Sequence, residues 1–169
     1  MSRGGSDVAG ARQVREEDAF DVGAVTAWLR DHAGDPTGLE GTPEVRQFAG
    51  GASNLTYLLR FSTGSTDRTR DLILRRPPGG QKAKGAHDMG REYRIQSGLA
   101  PVFPHVPAMV AFCEDTSVIG SEFYVMERVE GHIPRRELGV ELDEEAVLGA
   151  IRRGVPVVEL DVDTMLDEF

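Results

Sequence analysis

Apolar and polar positions along the chain follow two rhythms, one of period two and one near 3.6, and the breaks between them mark the elements. Val22, Val25, Trp28 and Leu29 recur at helical spacing. Asp21 stands where it can cap that helix, and Gly34 where it can end it. Glu44 to Phe48 reads as a first strand, Leu55 to Phe61 as a second and Asp71 to Arg75 as a third, with the polar stretch Ser62 to Arg70 between the last two. Pro77-Pro78-Gly79-Gly80 stops the third strand, because proline has no N–H to continue a ladder. His87 to Leu99 returns to the helical period. Pro107 to Cys113 and Glu122 to Val129 then read as fourth and fifth strands, joined by the polar turn Glu114-Asp115-Thr116. Phe123-Tyr124-Val125-Met126 is apolar on both faces, which predicts burial from both sides.

This order predicts an α+β lobe, a five-stranded antiparallel sheet with the His87–Leu99 helix packed on one face and the Val22–His32 helix outside it. Residues 1–19, rich in Gly, Ser and charge, are expected to be flexible. Residues 20–131 form the lobe, and 132–169 hold a short helix and an acidic tail. At 100° per residue, Met89, Glu92, Ile95 and Leu99 fall along one stripe, with Glu92 near its middle. A carboxylate there needs a cation. Arg75 on the preceding strand is the better partner, since Arg91 and Arg94 point around the helix to other faces; the alternative is a helix rolled so that Glu92 is solvated.

Composition narrows the function classes. The chain has 169 residues, 40% of them hydrophobic and 28% charged, with a net charge of -9. That balance is ordinary for a soluble globular protein and argues against nucleic acid as a partner. No apolar run approaches the ~20 residues needed to span a bilayer, so no membrane role is expected. The N-terminus lacks the apolar core of a secretory signal. The single cysteine, Cys113, cannot form an internal disulfide and lies in an apolar strand pattern, so a buried thiol in a cytoplasmic protein is expected. His32 reads as an ordinary residue near a helix C-terminus.

Candidate chemistry centres on Gly50-Gly51-Ala52-Ser53, which breaks the first two strands. A turn without bulky side chains lets backbone N–H groups approach phosphate oxygens, although many such hairpins bind nothing. Arg75 then carries a cation out of the third, apolar strand.

The pieces FAGGASNLTYLL, LILRRPPG, GREYRIQSGL and VIGSEFYVMERVEG, in that order, resemble the aminoglycoside phosphotransferase and choline kinase-like superfamily. The similarity extends over roughly Val45 to Glu145 and is nearest to the bacterial phosphotransferase family proteins and to the kinase-like domain attached to some acyl-CoA dehydrogenases. It implies a protein-kinase-like N-terminal lobe that binds ATP, with magnesium, and phosphorylates a small-molecule hydroxyl. Gly50, Gly51, Ala52, Ser53 and Asn54 would form the nucleotide-covering loop. Arg75 would stand where a phosphate-gripping lysine usually lies, and Glu92 would be its helix partner. The backbone of Met126 to Val129, with Glu127 and Val129 as its contact residues, would meet the adenine edge.

The resemblance also implies a His-Gly-Asp loop, a downstream asparagine and a magnesium aspartate beyond the hinge. None of these follows Gly131. Asp31-His32-Ala33-Gly34-Asp35 precedes the glycine turn and has an extra alanine, so it is not that loop. Gly154 and Pro156 interrupt the helix expected after Asp143, and Asp161 and Asp163 lie in an acidic end that reads as solvated rather than metal-binding. Three expectations follow: a phosphotransferase-family chain that is truncated and inactive alone, with its C-terminal lobe absent or separately encoded; a non-catalytic nucleotide-binding or partner-docking pseudokinase lobe; or a nonfunctional gene fragment.

Overall fold

The computed structural model describes residues 8–49, 54–62, 69–79, 88–103 and 105–130. The turn Gly50-Gly51-Ala52-Ser53, the basic loop 81–86 and everything from Gly131 on, Asp161 and Asp163 included, lie outside them. The chain divides after Val129 into two units, and the sheet and helices belong to the first. In chain order the elements are β1 (Ala11–Arg12), a 3₁₀ turn (Glu16–Asp18), α1 (Val22–His32), β2 (Glu44–Phe48), β3 (Leu55–Ser62), β4 (Thr69–Arg76), α2 (Met89–Leu99), β5 (Met109–Cys113) and β6 (Phe123–Glu127). Among the described residues no helix is long and apolar enough to cross a membrane.

The strands pair antiparallel in the order β1-β2-β3-β4-β6-β5. All five expected strands are present. β6 returns to lie between β4 and β5, and this interior place explains why Phe123, Tyr124 and Val125 are fully buried, as their two-sided apolar pattern predicts.

Period two sorts β3 and β4 onto two faces. Tyr57 is opposite Leu74 and Leu59 opposite Leu72, and these four join Phe61, Phe123 and Val125 in one core. Val25 and Leu29 of α1 close that core, behind the Asp21 cap, which accepts from the Ala24 N–H at 2.9 Å. Each such aliphatic side chain contributes about 1.5–3 kcal/mol on burial. Leu58, Ile73, Arg75, Tyr124 and Met126 belong to the other face by alternation and register.

Residues 8–19, expected to be flexible, are instead tied to the sheet. Ala11 and Arg12 pair with Phe48 and Gln47, which adds a sixth strand. Asp18 is buried; its carboxylate accepts from Gln47 Nε2 at 2.8 Å and pairs with Arg15 at 2.6 Å. Its carbonyl accepts from the Tyr57 hydroxyl at 2.8 Å and from Arg76 at 2.7 Å. The Arg76 guanidinium lies 5.7 Å from the Phe20 ring centroid and 5.5 Å from that of Tyr57. Polar and cationic contacts anchor this segment, so hydrophobic periodicity gives no sign of it.

A second correction concerns α2. Met89 and Gly90 are buried and Tyr93 stacks on Phe112 at 5.4 Å, whereas Ile95 and Leu99 are 55% and 42% exposed. The packed face runs through Met89, Gly90, Tyr93 and Gln96, rotated by roughly 90° from the apolar stripe. A Cβ on Gly90 would come within 3.2 Å of Phe112 Cζ, so the absence of a side chain sets the close approach of helix and sheet. Glu92 sits at the rim of the packed face and not at its centre.

Candidate functional site

The α2 face of the sheet gathers four of the side chains that matter. Asp88 caps α2 by accepting from the Arg91 N–H at 2.7 Å, which places Glu92 in the first turn, where the helix dipole favours a carboxylate. Alternation along β4 turns Arg75 towards the helix, and register sets it opposite Tyr124 of β6. Asn54 stands just before β3, next to the glycine turn.

Glu92 is the hub. Its Oε1 accepts from Asn54 Nδ2 at 2.7 Å and its Oε2 from the Tyr124 hydroxyl at 2.9 Å. The nearest Arg75 nitrogen lies 3.7 Å from Oε2, an ion pair in reach but longer than a hydrogen bond. Arg75, and not Arg91 or Arg94, is therefore the cation that Glu92 meets. Both side chains of that pair are 31% exposed, so the pair is half-buried. Arg75 Nε is itself buried and has no hydrogen-bond partner among the described residues. Tyr124 also accepts from Gln96 Nε2 at 3.1 Å. Burial pushes the Tyr124 hydroxyl up to about 12, against the lowering pull of the Arg75 charge and helped by the bond to Glu92.

Tyr124 and Gln96 were not among the candidate residues. A tyrosine in a strand buried on both faces was the available signal, since its hydroxyl must find a partner.

The remaining candidates lie elsewhere. Gly50, Gly51, Ala52 and Ser53 are outside the described residues. Glu127 shares the α1 face with its register partner Leu72 and pairs with Arg70 at 2.6 Å. Its N–H donates to the Ala108 carbonyl at 2.8 Å, and the next N–H, of Arg128, donates to the Asp71 carbonyl at 3.2 Å. Val129 follows β6 and is 61% exposed. On the other face of the sheet by alternation, the Asp71 carboxylate accepts two bonds from Arg60, at 2.8 and 2.7 Å, and one from Arg128 at 3.0 Å. Those Arg60 bonds first, and the two positive charges after them, hold Asp71 below the usual carboxylate range. Side-chain pairs thus brace the strand end that leads to Val129.

A groove of about 300 Å³ runs along the outer edge, lined among others by Arg12, Arg15, Gln47 and Asn54. Gln47 is opposite Tyr57 in register, so this groove opens on the α1 side, and among the described residues it shares Asn54 with the Glu92 cluster. Chemically, the cluster offers a fixed guanidinium with an unused donor beside a carboxylate held by neutral groups, which suits an oxyanion. Among the described residues no group of three His, Cys, Asp or Glu could hold a metal ion.

Residues 44–153 match the profile of the phosphotransferase enzyme family (APH). The chain belongs to that family. Its α+β fold is that of the family's kinase-like N-terminal lobe, as the motif order implies. Acyl-CoA dehydrogenase family member 11 from Gallus gallus is 37% identical over 127 residues, covering 75% of this chain and 16% of that protein. Acyl-CoA dehydrogenase family member 10 from Mus musculus is 37% identical over 126 residues, covering 75% and 11%. A Ralstonia eutropha protein, whose crystal structure is described as that of a candidate aminoglycoside phosphotransferase, is similar with a TM-score of 0.54 and 37% identity. That likeness covers 69% of this chain and 30% of the other. The chain thus spans about a sixth of the first of these relatives and less than a third of the solved one.

Proposed function

We propose that this chain is the nucleotide-gripping lobe of an ATP-dependent small-molecule phosphotransferase. In this reading the turn from Gly50 to Asn54 covers the phosphates and Arg75 meets a phosphate oxygen, steadied by Glu92. The backbone between Glu127 and Val129 takes the adenine edge. The observation that carries the reading is the buried Arg75 Nε, without a hydrogen-bond partner among the described residues, on the strand to which the resemblance assigns the phosphate-gripping cation. An arginine there holds its charge at any physiological pH and offers a planar fork to an oxyanion.

Magnesium would supply charge neutralisation between phosphates. Among the described residues no group of three His, Cys, Asp or Glu could hold it. The 169 residues contain no His-Gly-Asp run, so in this reading the base for the acceptor hydroxyl comes from outside them, as from a C-terminal lobe. The polypeptide by itself then binds nucleotide without turnover, a role that needs only a soluble cytoplasmic chain. Purified protein with labelled ATP, magnesium and a panel of amino sugars, choline-like alcohols and hydroxyacyl compounds tests this. Retention of ATP without labelled product is expected; turnover that persists through purification and is lost in Arg75→Ala would show that these residues carry the whole machinery.

A further inference from the structure

Glu92 and Arg75 face each other, yet Glu92 spends both oxygens on neutral donors. A carboxylate beside a guanidinium ordinarily forms short, charge-assisted and often paired hydrogen bonds, with N···O near 2.7–2.9 Å. The observed approach is 3.7 Å to Oε2 alone. Oε2 is already taken by the Tyr124 hydroxyl at 2.9 Å, and Gln96, donating to that hydroxyl at 3.1 Å, directs its proton at the carboxylate. Oε1 is taken by Asn54 Nδ2 at 2.7 Å. Arg75 Nε is left buried without a hydrogen-bond partner among the described residues, a state that costs free energy unless another acceptor fills it.

We propose that Tyr124 and Asn54 are positioning residues that hold Glu92 off Arg75, so that the guanidinium stays open to a phosphate-type oxyanion. The carboxylate then orients Arg75 by its charge without closing on it. This inference rests on the nucleotide reading given above and names the device that keeps its cation available. Tyrosine supplies the device because its ring fills the buried strand position while its hydroxyl reaches the helix.

The test compares wild type with Tyr124→Phe, Glu92→Gln and the double variant, using calorimetric ATP and adenosine affinities together with the ¹⁵N–¹H signal of Arg75 Nε. Losing the hydroxyl frees Oε2, so in Tyr124→Phe the arginine should close on Glu92. The ratio of ATP to adenosine affinity should then fall about tenfold, the weight of one charge-assisted hydrogen bond, and the Nε–H signal should shift as the group gains a partner. Adding Glu92→Gln should bring both readouts back to those of Glu92→Gln alone, since a neutral amide has no charge to capture the guanidinium. Glu92→Gln alone, which loses the charge that orients Arg75, sets the baseline that the double variant should match. An unchanged ratio and Nε–H signal in Tyr124→Phe would overturn the proposal, and so would a double variant that keeps the readouts of Tyr124→Phe instead of matching that baseline. Should Tyr124→Phe fail to fold, Asn54→Ala frees Oε1 and is read in the same way. Wild type that binds ATP no better than adenosine would overturn the nucleotide reading, while the Nε–H signal still decides whether Tyr124 keeps the pair apart.

Discussion

Asp71→Asn removes one charge from the cluster that braces the end of β6, and its cost can be worked from the contacts. Asp71 and Arg60 are register partners across β3 and β4, joined by two bonds of 2.8 and 2.7 Å, with Arg128 adding a third at 3.0 Å. The Asp71 and Arg60 side chains are 13% and 12% exposed, and that of Arg128 22%. Breaking a buried pair costs about 3–5 kcal/mol, while an exposed one contributes about 0–1. Partial exposure puts this cluster between those limits, so Asp71→Asn should destabilise the lobe by about 2 kcal/mol at neutral pH. The sign of the pH dependence follows from the lowered Asp71 pKa. In the unfolded chain the group titrates near 3.8 and in the folded protein lower. Its contribution is therefore complete above 3.8 and lost as pH falls through the folded value. Urea unfolding of both proteins from neutral pH downward should show a gap that closes in acid. A gap under about 0.5 kcal/mol, the usual range for surface changes, or one that ignores pH would refute the reasoning.

Three further outcomes are expected. Arg76→Ala, which removes the cation over Phe20 and Tyr57 and its bond to the Asp18 carbonyl, should cost about 3 kcal/mol in the same unfolding assay and raise amide exchange over residues 8–19. Tyr57 and Tyr124, both raised above 10.0 chiefly by burial, should stay protonated in ultraviolet titration beyond that pH. Because folding holds these protons more tightly, the stability they contribute is present below 10.0 and falls as pH rises through the folded values. Cys113, buried and with its thiol pushed up by that burial, should react with a thiol reagent only at the rate of unfolding; fast stoichiometric labelling of native protein would contradict this.

How far the sequence could be read depends on what each element is made of. α1 was legible in full because its stripe and Asp21 cap are local signals, and Val25 and Leu29 are buried as that stripe requires. β2 to β6 were legible because alternation and proline or glycine breaks bound them. The face of α2 was not, because it packs through Tyr93, Gln96 and the bare Gly90, which a count of apolar residues passes over. β1 escaped notice because two residues carry no periodicity; the polar contacts of Asp18 and Arg76 hold that segment. Arg75 and Arg76 show the same limit from one dipeptide. Period two sends them to opposite faces, where one meets Glu92 and the other a buried carbonyl, and only the first was singled out. The pairing of Arg75 with Glu92 was legible from charge in an amphipathic helix; the tyrosine that shares Oε2 with Arg75 was not, because nothing local marks which group its hydroxyl meets.

The central claim is that Arg75 meets the phosphates of a nucleotide, and the most direct test is the affinity of the purified chain for ATP and for adenosine, with Arg75 intact and as Arg75→Ala. Wild type should bind ATP more tightly than adenosine, and Arg75→Ala should lose about tenfold or more for ATP while adenosine is unaffected, as expected for one charge-assisted contact in a half-open site. Equal affinities for the two ligands in wild type, or an ATP preference that survives Arg75→Ala, would contradict the account.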